Sequence, residues 1–220
     1  MNKTIKRVII AVLVIAFLAW GSTQFTVVNT AEQKAVVDAE KFDRVKYVDD
    51  IWESRLIPGV RENAFDLVSV LNAMAVDLEA TRDFATVSVS NAFNYQVKGI
   101  GTVESVDTSS RKGIAEIKLD GYDGPIKIVL SIGPSVNGES IRDGAGFIAF
   151  GDFKDQTEYG QVARELNTRA GEATFNALDW PNSVGKKVAF SGMFTIKTTN
   201  QTNLKIDSIE IVPILAESSE

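Results

Sequence analysis

The sequence predicts an α+β protein that combines an N-terminal signal or anchor helix, a small helical domain and an OB-like five-stranded β-barrel, with a long helix between strands 3 and 4. Two observations predict this class. An uncharged apolar run opens the chain, and the spacing of apolar residues changes from 3.6 to 2 after about residue 93. The expected boundaries are 1–29 for the signal or anchor, 30–90 for the helical domain and 91–220 for the barrel.

Residues 1–29 are predicted to be a signal peptide or a signal anchor. Three basic residues among the first seven precede an uncharged run from Val8 to Ala31. Its most apolar part, Val8 to Trp20, is shorter than the roughly 20 residues of a spanning helix and matches a signal peptide with a cleavage position after Gly21. The run as a whole reaches spanning length, so anchoring in the cytoplasmic membrane through residues 8–28 stays open. Both alternatives leave the rest of the chain periplasmic or extracytoplasmic.

Composition excludes several kinds of chemistry. The 220 residues include no Cys and no His, which excludes disulfides, thiolate nucleophiles, Cys/His zinc sites and Ser-His-Asp triads. A lipoprotein is also excluded, since lipid attachment needs a Cys after the apolar run. The net charge of −6 disfavours a nucleic-acid partner. No metal and no cofactor is predicted.

The segment from residue 30 to about 84 is predicted to form a hairpin of two helices. Apolar residues at spacings of three and four predict the first helix, namely Val45, Val48, Trp52 and Leu56. Pro58-Gly59 is expected to break the chain there. The second helix is predicted by a similar set: Phe65, Val68, Leu71, Ala75 and Leu78. We expect Trp52 and Leu56 to pack against this set, because neither helix can leave its apolar face in water.

Alternation of apolar and polar residues predicts the strands that follow. The runs are Val97 to Val106, Ala115 to Leu119, Ile126 to Ile132, Val188 to Ile196 and Leu204 to Val212. Gly99 and Gly101 lie where a strand would coil sharply to close a barrel. The last run changes its apolar parity around Asp207 and Ser208, which predicts a bulge. Residues 216–220 are expected to form a frayed acidic tail.

A long helix is predicted from Gln156 to about Leu178, between the third and fourth strands, and Trp180-Pro181 ends it. Its expected apolar stripe consists of Tyr159, Val162, Ala163, Leu166, Ala170, Ala173 and Ala177. Asn167 is expected on the solvated side. This order of strands and helix is typical of an OB-type barrel.

Candidate chemistry concentrates between Gly133 and Asn167. A buried or half-buried Arg142 could hold a carboxylate or a pair of sugar hydroxyls through its planar fork, or it could pair with Asp143, Glu139 or a helix-end carboxylate as a structural clip. Asp155 and Glu158 read as a helix cap. Alternatively, Asp143 and Glu158 could act as the two carboxylates of a glycoside-cleaving enzyme.

The order of motifs resembles a bacterial family of predicted periplasmic lipoproteins of unknown function, whose members are often encoded beside ribose-type sugar ABC transporters. The similarity covers about Phe25 to Val212. It is carried by FTVV (25–28), KFDRVKYVDDIWESRLIP (41–58), VKGIGTVESVDTSSRKG (97–113), IGPSVNGESIRDGAGFIAFGDFKDQTEYGQVARELNTRAG (132–171) and GKKVAFSGMFTI (185–196). The resemblance implies a helical piece joined to an OB-like barrel, and it implies no reaction.

These observations together favour a non-enzymatic accessory or binding module, serving sugar uptake by contacting a transporter permease or solute-binding protein. The rival hypotheses are the carbohydrate-active enzyme and a purely structural envelope protein. The positions that match the family and are candidates for binding are Arg142, Asp143, Gln156, Glu158, Tyr159 and Asn167.

Overall fold

The computed structural model describes residues 3–22, 42–88, 91–198 and 205–219. The chain divides into two units, Met1–Phe42 and Asp43–Glu220. The first contains helix α1 (Lys3–Ser22). None of the described helices has both the length and the apolarity needed to cross a membrane. The anchor run to Val28 extends beyond α1 into residues outside the described part of the chain.

The second unit begins with a helical segment that is continuous through the predicted break. Helix α2 (Arg44–Ile51) is capped by Asp43, whose Oδ1 accepts the N–H groups of Val45 and Lys46 at 3.0 Å. A π-helical turn (Trp52–Leu56) leads into α3 (Ile57–Asn63). Pro58 lies in the first turn of α3, directly after the π-helical turn, where the hydrogen-bond pattern changes and the missing N–H is accommodated. The prediction of a break at Pro58-Gly59 is therefore wrong.

The second predicted helix is shorter than expected and begins later. Phe65 and Asp66 form a two-residue strand β1, and helix α4 spans Leu67–Met74. Asp66 caps α4 by accepting the backbone N–H and the hydroxyl of Ser69, both at 2.9 Å. A 3₁₀ helix (Glu79–Phe84) follows. Phe65, expected on the buried face, is 40% exposed.

The predicted hairpin packing also differs from the structure. Leu67 and Leu71 of α4 join the hydrophobic core of the barrel. Helix α2 instead packs on the long helix α6 (Gln156–Ala177), where Arg44 pairs with Glu165 at 3.3 Å. The Arg169 guanidinium lies 5.5 Å from the ring centre of Trp52. The sequence predicted that the two helical segments would pack against each other. Instead, α4 packs against the barrel core and α2 packs against α6.

The sheet is a closed ring with two short additional strands. The remaining elements are β2 (Ala85–Val87), β3 (Ala92–Asp107), β4 (Ile114–Leu119), β5 (Lys127–Ser131), α5 (Ser140–Gly144), β6 (Lys187–Lys197) and β7 (Ser208–Ser219), with 3₁₀ turns at Phe150–Asp152 and Trp180–Asn182. The ring order is β3-β4-β5-β7-β6, closed by pairing of β6 with β3; β5 and β7 are parallel, and the other ring pairs are antiparallel. The described sheet has seven strands rather than five, since β1 and β2 pair with β3.

Strand β3 closes the ring as its glycines predict. A Cβ on Gly101 would lie 2.5 Å from the carbonyl oxygen of Lys118, so only glycine permits β3 to approach β4 so closely.

The bulge predicted at Asp207 and Ser208 is misplaced. The register of β6 with β7 shifts at Ile214, because Ser191 pairs with Leu215 and Gly192 with Pro213. Leu204, where the predicted strand starts, lies outside the described residues.

The C-terminal residues and the stripe of α6 differ from expectation in detail. Strand β7 pairs with β6 as far as Ser219, so residues 216–219 are not a frayed tail. Helix α6 begins at Gln156 as predicted, capped by Asp155, and buries Asn167, Gly171 and Thr174 instead of Ala173 and Ala177. Polar and small residues are needed on this face because it approaches backbone: Thr174 donates to the carbonyl of Pro213 at 3.1 Å.

Tyr95 occupies the centre of the barrel core. Its ring stacks on that of Phe194 with a centroid separation of 4.6 Å. Thr81 donates its hydroxyl proton to Leu78 O at 2.6 Å, so it accepts the proton of the Tyr95 hydroxyl, 2.5 Å away. Burial raises the pKa of Tyr95 to about 12, which keeps this hydroxyl a neutral donor. The hydrogen bond ties the 3₁₀ helix to the barrel.

We expect Gly101→Ala to destabilise the protein by about 1–3 kcal/mol, because the new Cβ would push β4 away from β3. Urea denaturation measures the free energy of unfolding. The control is Gly160→Ala in α6, where no described residue beyond the adjacent helix backbone lies within 4 Å of the new Cβ and we expect stabilisation of about 0.5–1 kcal/mol. Equal stabilities of the two variants would contradict the close approach of β3 and β4.

Candidate functional site

A cleft of about 800 Å³ lies where the ends of β3 and β6 meet α5 and the start of α6. We call it the Arg142 cleft. Its walls come from five parts of the chain, and their lining residues are Thr86, Ser88, Ala92, Asn94, Gly138, Glu139, Ser140, Arg142, Asp143, Gly146, Ile148, Phe150, Gln156, Tyr159, Thr195 and Lys197. Clefts of this size accommodate small organic ligands.

Arg142 is the most deeply buried charged group in this cleft, with only 7% of its side chain exposed. Its Nε donates to Asp143 Oδ1 at 2.7 Å, and its Nη1 donates to the carbonyl oxygen of Tyr159 at 3.3 Å. The guanidinium stacks 3.6 Å from the centre of the Tyr159 ring. These contacts fix the plane of the guanidinium.

One nitrogen of Arg142 remains available to a ligand. Nη2 makes no hydrogen bond with any described residue. Among the described residues, no side-chain nitrogen or oxygen is both fully buried and without a partner, so Nη2 keeps some solvent-accessible surface, and Arg142 is a lining residue of the cleft. A guanidinium held rigidly with one free edge can donate to a ligand oxygen without losing further conformational entropy.

Tyr159 forms an aromatic wall of the cleft. Its hydroxyl donates to Asp143 Oδ1 at 3.2 Å, and the edge of Phe150 meets its ring at a centroid distance of 5.5 Å. Burial, followed by the negative charge of Asp143, raises the pKa of Tyr159, while Arg142 lowers it. The phenol is therefore neutral. Phe150 is 51% exposed and extends the aromatic surface toward solvent.

Neutral polar groups form the opposite wall. Asn94 is buried, donates to the Thr86 carbonyl at 3.0 Å and accepts the Thr195 hydroxyl proton at 2.8 Å. Ser140 lies 3.2 Å from Thr195, oxygen to oxygen. At the rim, Lys197 pairs with Glu139 at 3.4 Å. Each charged residue lining the cleft thus has a partner of opposite charge in the cleft.

The structure brings four of the six predicted positions into the cleft: Arg142, Asp143, Gln156 and Tyr159. Arg142 forms the clip with Asp143 that the sequence left as one alternative. Glu158 is not a lining residue; its Oε2 accepts the Lys154 N–H at 2.9 Å, next to the Asp155 cap. Of the two carboxylates of the enzyme hypothesis, only Asp143 lines the cleft.

Asn167 was expected on the solvated side of α6 and is buried. Its Nδ2 donates to the carbonyl of Gly138 at 2.8 Å, so it holds the loop between β5 and α5 from the side of α6. The expectation was wrong because the side of α6 assigned to solvent packs under this loop. Asn167 supports the cleft wall without lining the cleft.

Sequence reasoning missed Asn94, Ser140 and Thr195. A signal existed for Asn94, which is a polar residue between Phe93 and Tyr95 in a run that is buried throughout. A buried amide must have hydrogen-bond partners, so its position indicates a polar network. No such signal marks Thr195, which is a common residue type in strands.

Within the described residues, no group of three or more acidic side chains is arranged to hold a metal ion. The cleft instead offers one rigid guanidinium edge, the amide of Gln156, several hydroxyls and an aromatic wall. The Gln156 side chain is exposed, and its amide makes no hydrogen bond within the described part of the chain. This arrangement can bind and orient a small polar ligand.

The model of a family described as predicted periplasmic lipoprotein (DUF2291) matches residues 13–217. A crystal structure of an OB-fold protein from Thermotoga maritima is similar, with a TM-score of 0.64 and 24% sequence identity over 82% of this chain and 100% of that chain. No curated protein shows significant similarity to the chain. The fold similarity agrees with the ring order of the sheet.

We expect Arg142→Met to destabilise the protein by about 3–5 kcal/mol, because it leaves the partly buried Asp143 without its partner. Lys197→Met is the control: that pair is exposed at both ends, and its loss should cost less than about 1 kcal/mol. Urea denaturation measures both. A cost for Arg142→Met no larger than for Lys197→Met would show that the guanidinium is not held as described.

Proposed function

Because the chain belongs to the DUF2291 family of predicted periplasmic lipoproteins, we propose that it works outside the cytoplasmic membrane as a non-enzymatic binding module that assists sugar uptake. The Arg142 cleft is its ligand site, and a neutral polyhydroxylated molecule of the sugar class is its ligand. The observation that carries this proposal is the free edge of Arg142 within a cleft whose charges are paired.

Charge supports a neutral ligand. The positive charges of Arg142 and Lys197 are balanced within the cleft by Asp143 and Glu139. An anion would have to compete with Asp143 for Arg142, and a cation would meet the guanidinium. A neutral ligand meets neither cost, because it exchanges hydrogen bonds with water for hydrogen bonds with the cleft.

Hydrogen-bonding groups support a polyhydroxylated ligand. Sugar hydroxyls both donate and accept, and the cleft offers the donor Nη2 of Arg142, the amide of Gln156 and the hydroxyl of Ser140. The apolar face of a sugar ring can lie on the aromatic wall of Tyr159 and Phe150. The volume of about 800 Å³ has room for more than one sugar ring.

The proposed partner is the permease or the solute-binding protein of a sugar ABC transporter. The resemblance to a family often encoded beside such transporters and the predicted export segment support this part of the proposal. In this sequence, which has no Cys, a retained apolar segment at residues 8–28 or release after cleavage would replace the lipid.

Isothermal titration calorimetry of the purified full chain with a panel of neutral pentoses and hexoses tests the ligand class. We expect saturable binding, weakened at least about tenfold by Gln156→Ala through loss of an amide hydrogen bond to the ligand. Gln161→Ala is the matched control, since it removes the same side chain from the same helix outside the cleft. Binding of sugar acids or phosphates in preference to neutral sugars would refute the neutral ligand.

A photocrosslinker at the exposed Asn137, in the loop beside the cleft, tests the partner in cells grown on different sugars. We expect capture of a permease or a solute-binding protein, identified by mass spectrometry. The same crosslinker at exposed Lys118 of β4, away from the cleft, is the control. Capture of unrelated envelope proteins alone would remove the transporter from the proposal.

A further inference from the structure

The loop between β5 and α5 contains the single Asn-Gly dipeptide of the sequence, Asn137-Gly138. This loop separates the Arg142 cleft from a second cleft of about 440 Å³ near Ser131 and Glu210. Gly138, Ser140 and Thr195 line both clefts. A chemical change in this dipeptide would alter the wall that the two clefts share.

We propose that Asn137 is a site of spontaneous deamidation. The backbone nitrogen of Gly138 attacks Cγ of Asn137, the Cγ–Nδ2 bond breaks, and ammonia leaves with the proton of the attacking nitrogen. Water then opens the resulting succinimide at either carbonyl and yields aspartate or isoaspartate. Water is the co-reactant, no oxidant or reductant is consumed, and the step depends on no ligand of the cleft.

The geometry leaves both reacting groups free. Asn137 and Gly138 are exposed, and within the described residues neither the Asn137 amide nor the Gly138 N–H has a hydrogen-bond partner. Apart from its chain neighbours, no described residue lies within 4 Å of the point where a Cβ of Gly138 would stand. Glycine gives the backbone the freedom to bring its nitrogen to the side chain, and Gly138 already has a φ of +101°.

Asn182 provides an internal contrast. It precedes a small residue, Ser183, yet both reacting groups are held. Its Nδ2 donates to Asp179 Oδ2 at 2.8 Å, and the Ser183 N–H donates to the Trp180 carbonyl at 3.0 Å. A nitrogen engaged in a 3₁₀ turn cannot turn toward the side chain without breaking that hydrogen bond.

Deamidation would change the loop in two ways. It adds a negative charge to the lining of the second cleft, and in the isoaspartate form it inserts one carbon into the backbone next to Gly138, which lines both clefts. The carbonyl of Gly138 is the group that Asn167 holds at 2.8 Å. The lengthened backbone would move this carbonyl and release the loop from α6.

Incubation of the full chain in mildly alkaline buffer, followed by tryptic digestion in mildly acidic buffer and mass spectrometry, tests the proposal. We expect the peptide 128–142 to gain about one mass unit at least about tenfold faster than the peptide 170–186, which contains Asn182 and the helical Asn176, because their backbone hydrogen bonds must break first. In the Asn137→Gln variant, the mass of the peptide 128–142 should stay constant during the incubation. Attack on the longer glutamine side chain would have to form a six-membered ring instead of the five-membered succinimide.

A synthetic peptide with the sequence of residues 128–142 supplies the rate without the fold. A rate in the native protein within about tenfold of that rate supports the proposal, because the fold then leaves the dipeptide free. Deamidation of the synthetic peptide while the native protein keeps its mass would overturn it. Failure of sugar binding would leave this result untouched, so the two proposals stand or fall separately.

Discussion

The pairing of β3 with β6, from Ala92–Lys197 to Thr102–Lys187, is the interaction on which the remaining structure depends. Beyond it, β3 also pairs with β4, and the two short strands β1 and β2 add to its flank. A strand can pair with so many neighbouring strands only if it bends. Gly99 and Gly101 permit this bend, because a Cβ at either position would clash with the neighbouring strands. The same strand supplies Asn94 to the Arg142 cleft and Tyr95 to the core, so the geometry of the cleft follows from closure of the ring.

Helix α6 fixes the loops around the cleft relative to the barrel, because it contacts both. Near its C-terminal end, Thr174 donates to the Pro213 carbonyl of β7 and accepts from Trp180 through its own carbonyl at 2.8 Å. In its middle, Asn167 holds Gly138, and at its start Gln156 and Tyr159 line the cleft. One rigid element therefore sets the distance between the barrel, the loop and the aromatic wall. Binding residues supported in this way are more precisely placed than residues on a free loop.

The sequence predicted the features that depend on regular spacing. Alternation located β4 and β5 through residues such as Ile117, Ile128 and Leu130, and the start of α6 at Gln156 followed from its Asp155 cap.

Local rules failed where tertiary packing decides the structure. Pro58 is tolerated because a π-helical turn precedes it, and Asn167 is buried because a loop crosses its helix. A change in the alternation of apolar and polar residues does not show which residue of a strand forms the bulge, because the position of the bulge depends on the pairing with the partner strand. Four of the six candidate positions meet in one cleft because all four lie in α5 or in the first turn of α6, which contact each other. Asn94 and Thr195 come instead from strands that only the topology of the sheet brings together.

Strand β7 completes the ring at residues 208–219, where it pairs on one side with β6 and on the other with β5, whose Lys127 lies opposite Ser208. Contacts this distant along the chain form late and make folding slow. During synthesis, the ring cannot close until residues 208–219 have left the ribosome, and until then the edges of β5 and β6 remain open. Until residues 208–219 pair, these two open edges can pair with other chains, so the late arrival of this strand exposes the folding protein to aggregation.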